Sequence, residues 1–139
     1  MTNQDDLIEK AQTLLGEGED SRRRGDYSAA IESFNSIVDL AIEDGPERNL
    51  LLVHAYTCRG AAFAEQERYD DAIDDFSRAI HVNPEHSLGY YNRAMAWEAK
   101  GNAEQALDDY TRLLNIDPEF ADAKSRRDQS LSRTQPGKE

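Results

Sequence analysis

Apolar residues recur along this chain at the spacing of one helix face, and polar or helix-breaking residues separate the runs. Leu7, Ile8, Ala11, Leu14 and Leu15 mark one side of a first helix, from about Asp5 to Arg24. Gly25-Asp26 predicts a turn. Ala30, Ile31, Phe34, Ile37, Val38 and Ala41 then carry a second helix from Tyr27 to about Asp44. Further helices are predicted over Glu47–Gln66, Tyr69–Val82, Ser87–Lys100 and Ala103–Ile116, and a seventh over Pro118–Ser132. Gly16 and Gly18 lie inside the first helix and weaken it by up to roughly 1 kcal/mol each relative to alanine. That cost is tolerable at Gly18 if a second helix passes there.

The helical pattern repeats. Tyr56-x2-Arg59-Gly60-x2-Phe63, Ala72-x3-Phe76 and Pro84 recur in strict register as Tyr90-x2-Arg93-Ala94-x2-Trp97, Ala106-x3-Tyr110 and Pro118. A degenerate copy stands upstream as Leu14, Gly18, Ala30 and Phe34, with Ser21 where an aromatic is expected and no closing proline. Within each copy, Gly60 or Ala94 leaves room for a crossing helix, and Ala72 is the small partner on that helix. Phe76 and Tyr110 fill the space one turn later. The aromatic stripe therefore reads as core. Pro84 and Pro118 each end a helix, because proline lacks the N–H and disfavours helical geometry in the residue before it.

This order of residue types resembles the tetratricopeptide repeat over roughly residues 11 to 118. The resemblance implies an all-α, right-handed superhelical solenoid of antiparallel helix pairs. Three units are expected at about 5–44, 47–84 and 87–118, with a capping helix at 119–133, all in one domain, 1–133, before a disordered tail, 134–139. The cap shows the polar face that ends an array, in Lys124, Ser125, Arg126, Arg127, Asp128 and Gln129. One departure stands out. The step from Ala30 to Ala72 is longer than the step from Ala72 to Ala106, so that eight extra residues separate the first two copies. They are expected to lengthen the two flanking helices by about a turn each around Gly45-Pro46, with proline near a helix start.

Charge narrows the partners. With 28 acidic and 16 basic residues the net charge is -12, which repels nucleic acid and anionic lipid. No membrane contact is expected. The start Met1-Thr2-Asn3-Gln4-Asp5-Asp6 has no apolar run of a signal peptide or membrane span, and Cys58 is the single cysteine, so the expected place is the cytoplasm. The clusters Asp70, Asp71, Asp74, Asp75 and Glu104, Asp108, Asp109 fall near helix starts and are expected to be solvated, complementing the helix dipole. They lack the glycine and terminal glutamate of a calcium loop.

The family resemblance implies a concave groove lined by the first helix of each unit. Removing the core stripe leaves His54, Thr57, Cys58, Ala61 and Glu65 in the second copy, and Leu88, Tyr91, Asn92, Met95 and Glu98 in the third. The cap adds Asp122, Ser125 and Arg126, and the first copy Leu15, Glu19, Arg22 and Arg23. Aromatic, methionine, asparagine and arginine side chains together suit a peptide site. Some members of the family hold acidic chaperone tails with two lysines, two asparagines and an arginine. Here Asn92 and Arg126 match, whereas Thr57, Ala61 and Asp122 stand at the other three places. A frame one unit earlier gives Leu15, Glu19, Cys58, Leu88 and Asn92, which matches none. The expected ligand is therefore apolar, mixed or basic.

His54 and Cys58, four positions apart, share a helix face within reach of a thiolate–imidazole pair. No orienting group or oxyanion donor accompanies them, and with His81 and His86 they make no convincing metal set. No catalysis, cofactor or metal is expected. The sequence points to an adaptor that binds a partner protein or peptide in the groove. The rival is a self-assembling scaffold, with Arg126 and Arg127 at the cap meeting acidic patches of another copy.

Overall fold

The computed structural model describes residues 2–134, and among them every regular element is a helix. The helices are α1 (Asn3–Arg23), α2 (Tyr27–Val38), α3 (Pro46–Glu65), α4 (Tyr69–Val82), α5 (Ser87–Ala99), α6 (Ala103–Ile116) and α7 (Ala121–Thr134). They form three successive helix pairs and a final helix. Contacts divide the chain into two compact units, one ending at Pro84 and the other beginning at Glu85. The expected tail falls largely at 135–139, outside the described residues; Thr134 belongs to α7.

In the first unit, α1 packs on α2, α2 on α3 and α3 on α4, and α1 also touches α3. Two glycines set the close approach. A Cβ added to Gly18 would come within 2.6 Å of Phe34 Cε1, and one added to Gly60 within 2.6 Å of Phe76 Cε1. Ala30, Phe34 and Ala72 are completely buried, and Phe76 is nearly so. The aromatics of the first helices lie shallower than the sequence suggests: Tyr56 and Phe63 are half-buried. The Arg68 guanidinium covers Phe63, 4.5 Å from its centroid.

Each pair closes through the same turn. After α3, the Arg68 N–H donates to Phe63 O and the Glu67 N–H to Ala64 O, both at 2.9 Å, a Schellman motif that needs a left-handed residue at Glu67. Gly25 (φ 79) and Gly101 (φ 85) hold that place in the other two copies, with the matching bonds Asp26 to Ser21 and Asn102 to Trp97. Glu67 adopts φ 60, a conformation that costs a side-chain-bearing residue roughly 1–2 kcal/mol.

The eight-residue insertion is not shared between the flanking helices as expected. α3 does lengthen, to 20 residues against 13 for α5, but α2 stops at Val38 with 12 residues against 14 for α4. The remainder enlarges the irregular link 39–45. Its helical periodicity is overridden by tertiary contacts: the Gln4 side chain donates to Ala41 O (3.4 Å) and accepts from the Glu43 N–H (2.7 Å). Ile42 then buries with Leu51 in the core of α1 and α2, where Leu7, Ile8 and Leu40 also pack. Pro46 opens α3, as expected.

The acidic clusters are not uniformly solvated. Asp75 is fully buried and receives Arg59 through Nε (2.8 Å) and Nη2 (2.7 Å), a bidentate pair from α3 to α4. Arg78 adds a third bond at 2.8 Å, and Arg59 Nη1 reaches Asn35 Oδ1 on α2 at 2.8 Å. In the second unit Arg93 and Asp109, one repeat further on, form the same two bonds at 2.8 and 2.7 Å. A carboxylate at zero exposure is tolerated because a planar guanidinium meets both oxygens. Asp74, Glu104 and Asp108 stay exposed as expected.

In the second unit α5 packs on α6 and α6 on α7. Tyr90, Ala94, Ala106, Tyr110, Leu113 and Ala123 are buried, whereas Trp97 is half-buried beneath Lys100. Asn83 and Asp117, each before a proline, leave helical geometry with ψ of 94 and 87, so Pro84 and Pro118 act as the stops expected of them. α7 begins at Ala121 rather than at Pro118.

Candidate functional site

The α3 face of the first unit is a paired polar surface. His54 is exposed. Thr57, expected to face a ligand, is instead buried, and its hydroxyl donates to Val53 O at 2.7 Å. Cys58 Sγ donates to Glu19 Oε1 at 3.5 Å. Burial first, and then the Glu19 charge, push its thiol up from 9.0 to about 12. A thiol held in that state is a poor nucleophile, which counts against a Cys58–His54 reaction centre. Glu65 binds Arg22 Nη1 at 2.6 Å, and the Glu65 carboxylate raises the Tyr27 phenol above its ordinary range. Arg23 turns to Asp20 at 3.1 Å. The charges that α1 and α3 bring together thus neutralise one another.

The α5 face of the second unit differs. Leu88, Tyr91, Asn92 and Met95 occur at i, i+3, i+4 and i+7, one stripe of the helix. Leu88 is 47% exposed and Met95 37%. Tyr91 between them is half-buried, its ring 5.0 Å from Phe120 and 6.3 Å from Tyr110. Its hydroxyl stands 3.5 Å from Asp122 Oδ2. Arg126 of α7 lies over the same ring at 5.8 Å and donates through Nη1 to Glu98 Oε2 at 3.3 Å. Ser130, fully buried, donates to Glu98 Oε1 at 3.0 Å. The Tyr110 hydroxyl is buried without a hydrogen-bond partner among the described residues, and burial together with the Glu98 charge raises its pKa.

Among the expected groove residues, the structure therefore groups Leu88, Tyr91, Asn92 and Met95 on one stripe and brings Arg126 over its aromatic member. His54, Cys58 and Glu65 form a separate group on α3. Sequence reasoning overlooked Leu50, 69% exposed on the added turns of α3, and the bond from Ser130 to Glu98. No local pattern links two positions so far apart in the chain. Among the described residues, no cluster of three metal-ligating side chains occurs, and no helix is long and apolar enough to cross a membrane.

Two family models described as tetratricopeptide repeat match residues 53–86 and 87–120. The chain is 31% identical over 97 residues to a small glutamine-rich tetratricopeptide repeat-containing protein 2 of Mycosarcoma maydis, covering 70% of this chain and 25% of that protein. It is 27% identical over 95 residues to the human mitochondrial import receptor subunit TOM70, covering 68% of this chain and 15% of the receptor. The chain thus spans a quarter or less of these relatives. Among solved structures, the first TPR of Spaghetti (RPAP3) bound to the HSP90 peptide SRMEEVD superposes with a TM-score of 0.78 at 24% identity, over 91% of this chain and 94% of that one. The TPR2B domain of yeast Sti1, in a complex with pHsp70, gives 0.76 at 20% identity, over 89% and 98%.

Proposed function

The chain belongs to the tetratricopeptide repeat family, and on that premise we propose that it is a non-enzymatic adaptor that binds a peptide segment of a partner protein. The observation that carries this reading is the exposed α5 stripe. Leu88 and Met95 present apolar surface on either side of Tyr91, with Asn92 and Arg126 supplying polar contacts at its edge. Rigid aromatic and apolar anchors beside a few fixed polar groups are what an interaction surface needs. His54, Cys58 and Glu65 offer a second, charge-balanced surface on α3, to which buried Thr57 adds little. The peptide complexes of RPAP3 and Sti1 support a peptide as the type of ligand.

Selection of binders from a random dodecapeptide display library, followed by titration calorimetry, tests the reading. Peptides that bind the wild type should lose at least about tenfold in affinity to Leu88→Ala/Met95→Ala. Selected peptides that bind wild type and variant alike would move the site off the α5 face.

A further inference from the structure

We propose that Glu98 fixes the ligand class of the α5 face: it fills the anion-binding position of Arg126 from within the chain and so turns away peptides that present a carboxylate there. The inference rests on the α5 face being the docking surface. Arg126 is the cation that the structure places over the Tyr91 ring, and its side chain retains 36% exposure. A guanidinium in that position is suited to a ligand carboxylate. Its Nη1 is already bonded to Glu98 Oε2 at 3.3 Å. Glu98 is only 13% exposed, and its other oxygen is held by the buried Ser130 hydroxyl at 3.0 Å. It is therefore a preorganised internal acid rather than a mobile surface group.

An incoming carboxylate meets two costs at this position. It competes with a tethered group whose effective concentration is millimolar or higher. Displacing Glu98 would also strand a largely desolvated charge beside neutral hydroxyls only, and such a charge is expensive to leave uncompensated. Asp122, beside the Tyr91 hydroxyl, adds a second negative charge on the same side. An apolar segment carrying no carboxylate at this point meets neither cost. The favoured partner is thus a peptide that seats apolar side chains on Leu88, Tyr91 and Met95 and leaves Arg126 with Glu98.

Glu98→Gln separates these terms, since the amide oxygen still accepts from Ser130 while the charge that occupies Arg126 is gone. The probes are the acidic peptide SRMEEVD and a version with its acids amidated, titrated by calorimetry against the full chain. Wild type is expected to bind the acidic peptide weakly. Glu98→Gln should bind it at least about tenfold more tightly. That gain should shrink with added salt, be absent for the amidated peptide, and disappear in Glu98→Gln/Arg126→Ala. No gain, or an equal gain for both peptides, would overturn the role of Glu98. If Glu98→Gln does not fold, Ser130→Ala loosens Glu98 without removing its charge and should give a smaller gain of the same sign; no gain there is equally adverse. An Arg126-dependent gain that is unchanged by Leu88→Ala/Met95→Ala would retain the Glu98–Arg126 competition and reject the α5 stripe. Library peptides that need Leu88 and Met95, with no gain in Glu98→Gln, would do the reverse.

Discussion

In the second and third copies a buried guanidinium–carboxylate pair ties the first helix to the second, whereas in the first copy Glu17 and Ser33 stand at the matching positions. There the closing contacts are mostly apolar, beside the two Gln4 bonds to the link. Leu7, Ile8, Leu40, Ile42 and Leu51, gathered by the inserted link and the added turns of α3, extend the core around Phe34. The small-residue contact is common to the first two copies, since Gly18 faces Phe34 as Gly60 faces Phe76. Steric fit thus defines the helix pair, while the polar fastener can be replaced by buried area.

The largest effect is expected at the fasteners. Asp75→Ala should cost about 3 to 5 kcal/mol, because Arg59 and Arg78 both lose the acid that compensates them. Asp109→Ala should fall at the lower end of that range, and Ser33→Ala should stay within about 0.5 kcal/mol. Urea unfolding of the three variants checks the ranking; equal losses at Ser33 and Asp75 would erase the distinction. The shared steric contact comes next. Gly18→Ala and Gly60→Ala should each lose roughly 1–3 kcal/mol through overpacking, and Phe34→Leu or Phe76→Leu in the same chain should recover part of it. A substitution without loss at either glycine would show that the rings yield freely.

A smaller effect of opposite sign is expected at the turn. Glu67→Gly should raise stability by up to about 1 kcal/mol, as glycine accepts the left-handed conformation that Gly25 and Gly101 already supply in the other copies. A lower melting temperature would mean that Glu67 makes contacts worth more than its strain. The smallest effect sits at Cys58. Iodoacetamide should modify it at pH 7.5 on the order of 10³ times more slowly than an ordinary thiol, as measured by mass spectrometry. Because folding raises this pKa from 9.0 to about 12, its contribution to stability is intact below pH 9 and is lost as pH rises toward 12. Rapid alkylation of the folded chain would contradict the burial.

The helices and the steric code of the repeat were legible because both are local: periodic apolar residues, small residues at fixed offsets and closing prolines. The Arg–Asp fasteners were not read, although Arg59 and Asp75 recur as Arg93 and Asp109 at the repeat spacing. Carboxylates near helix starts have a sufficient local explanation in the dipole, and only the fold reveals that two of them face a guanidinium of the preceding helix. The end of α2 was hidden for a related reason. The apolar period runs on to Ala41, and the competing pull comes from Gln4, at the far end of the preceding helix. At the candidate site the α5 stripe followed from periodicity, but the burial of Thr57 depends on the packing of α3, which spacing alone does not give.

The twin fasteners also bear on how the chain reaches its fold. Arg59 and Arg93 carry the same chemistry at the same offset from their acids, so the bidentate pair by itself does not tell one copy from the next. The bidentate contact that the two latches share holds a finished helix pair but does not number it. Numbering falls to the features that are not repeated, above all Gln4 with the 39–45 link, which recognise one neighbour only. In that sense the irregular first copy gives an otherwise self-similar array a reading frame.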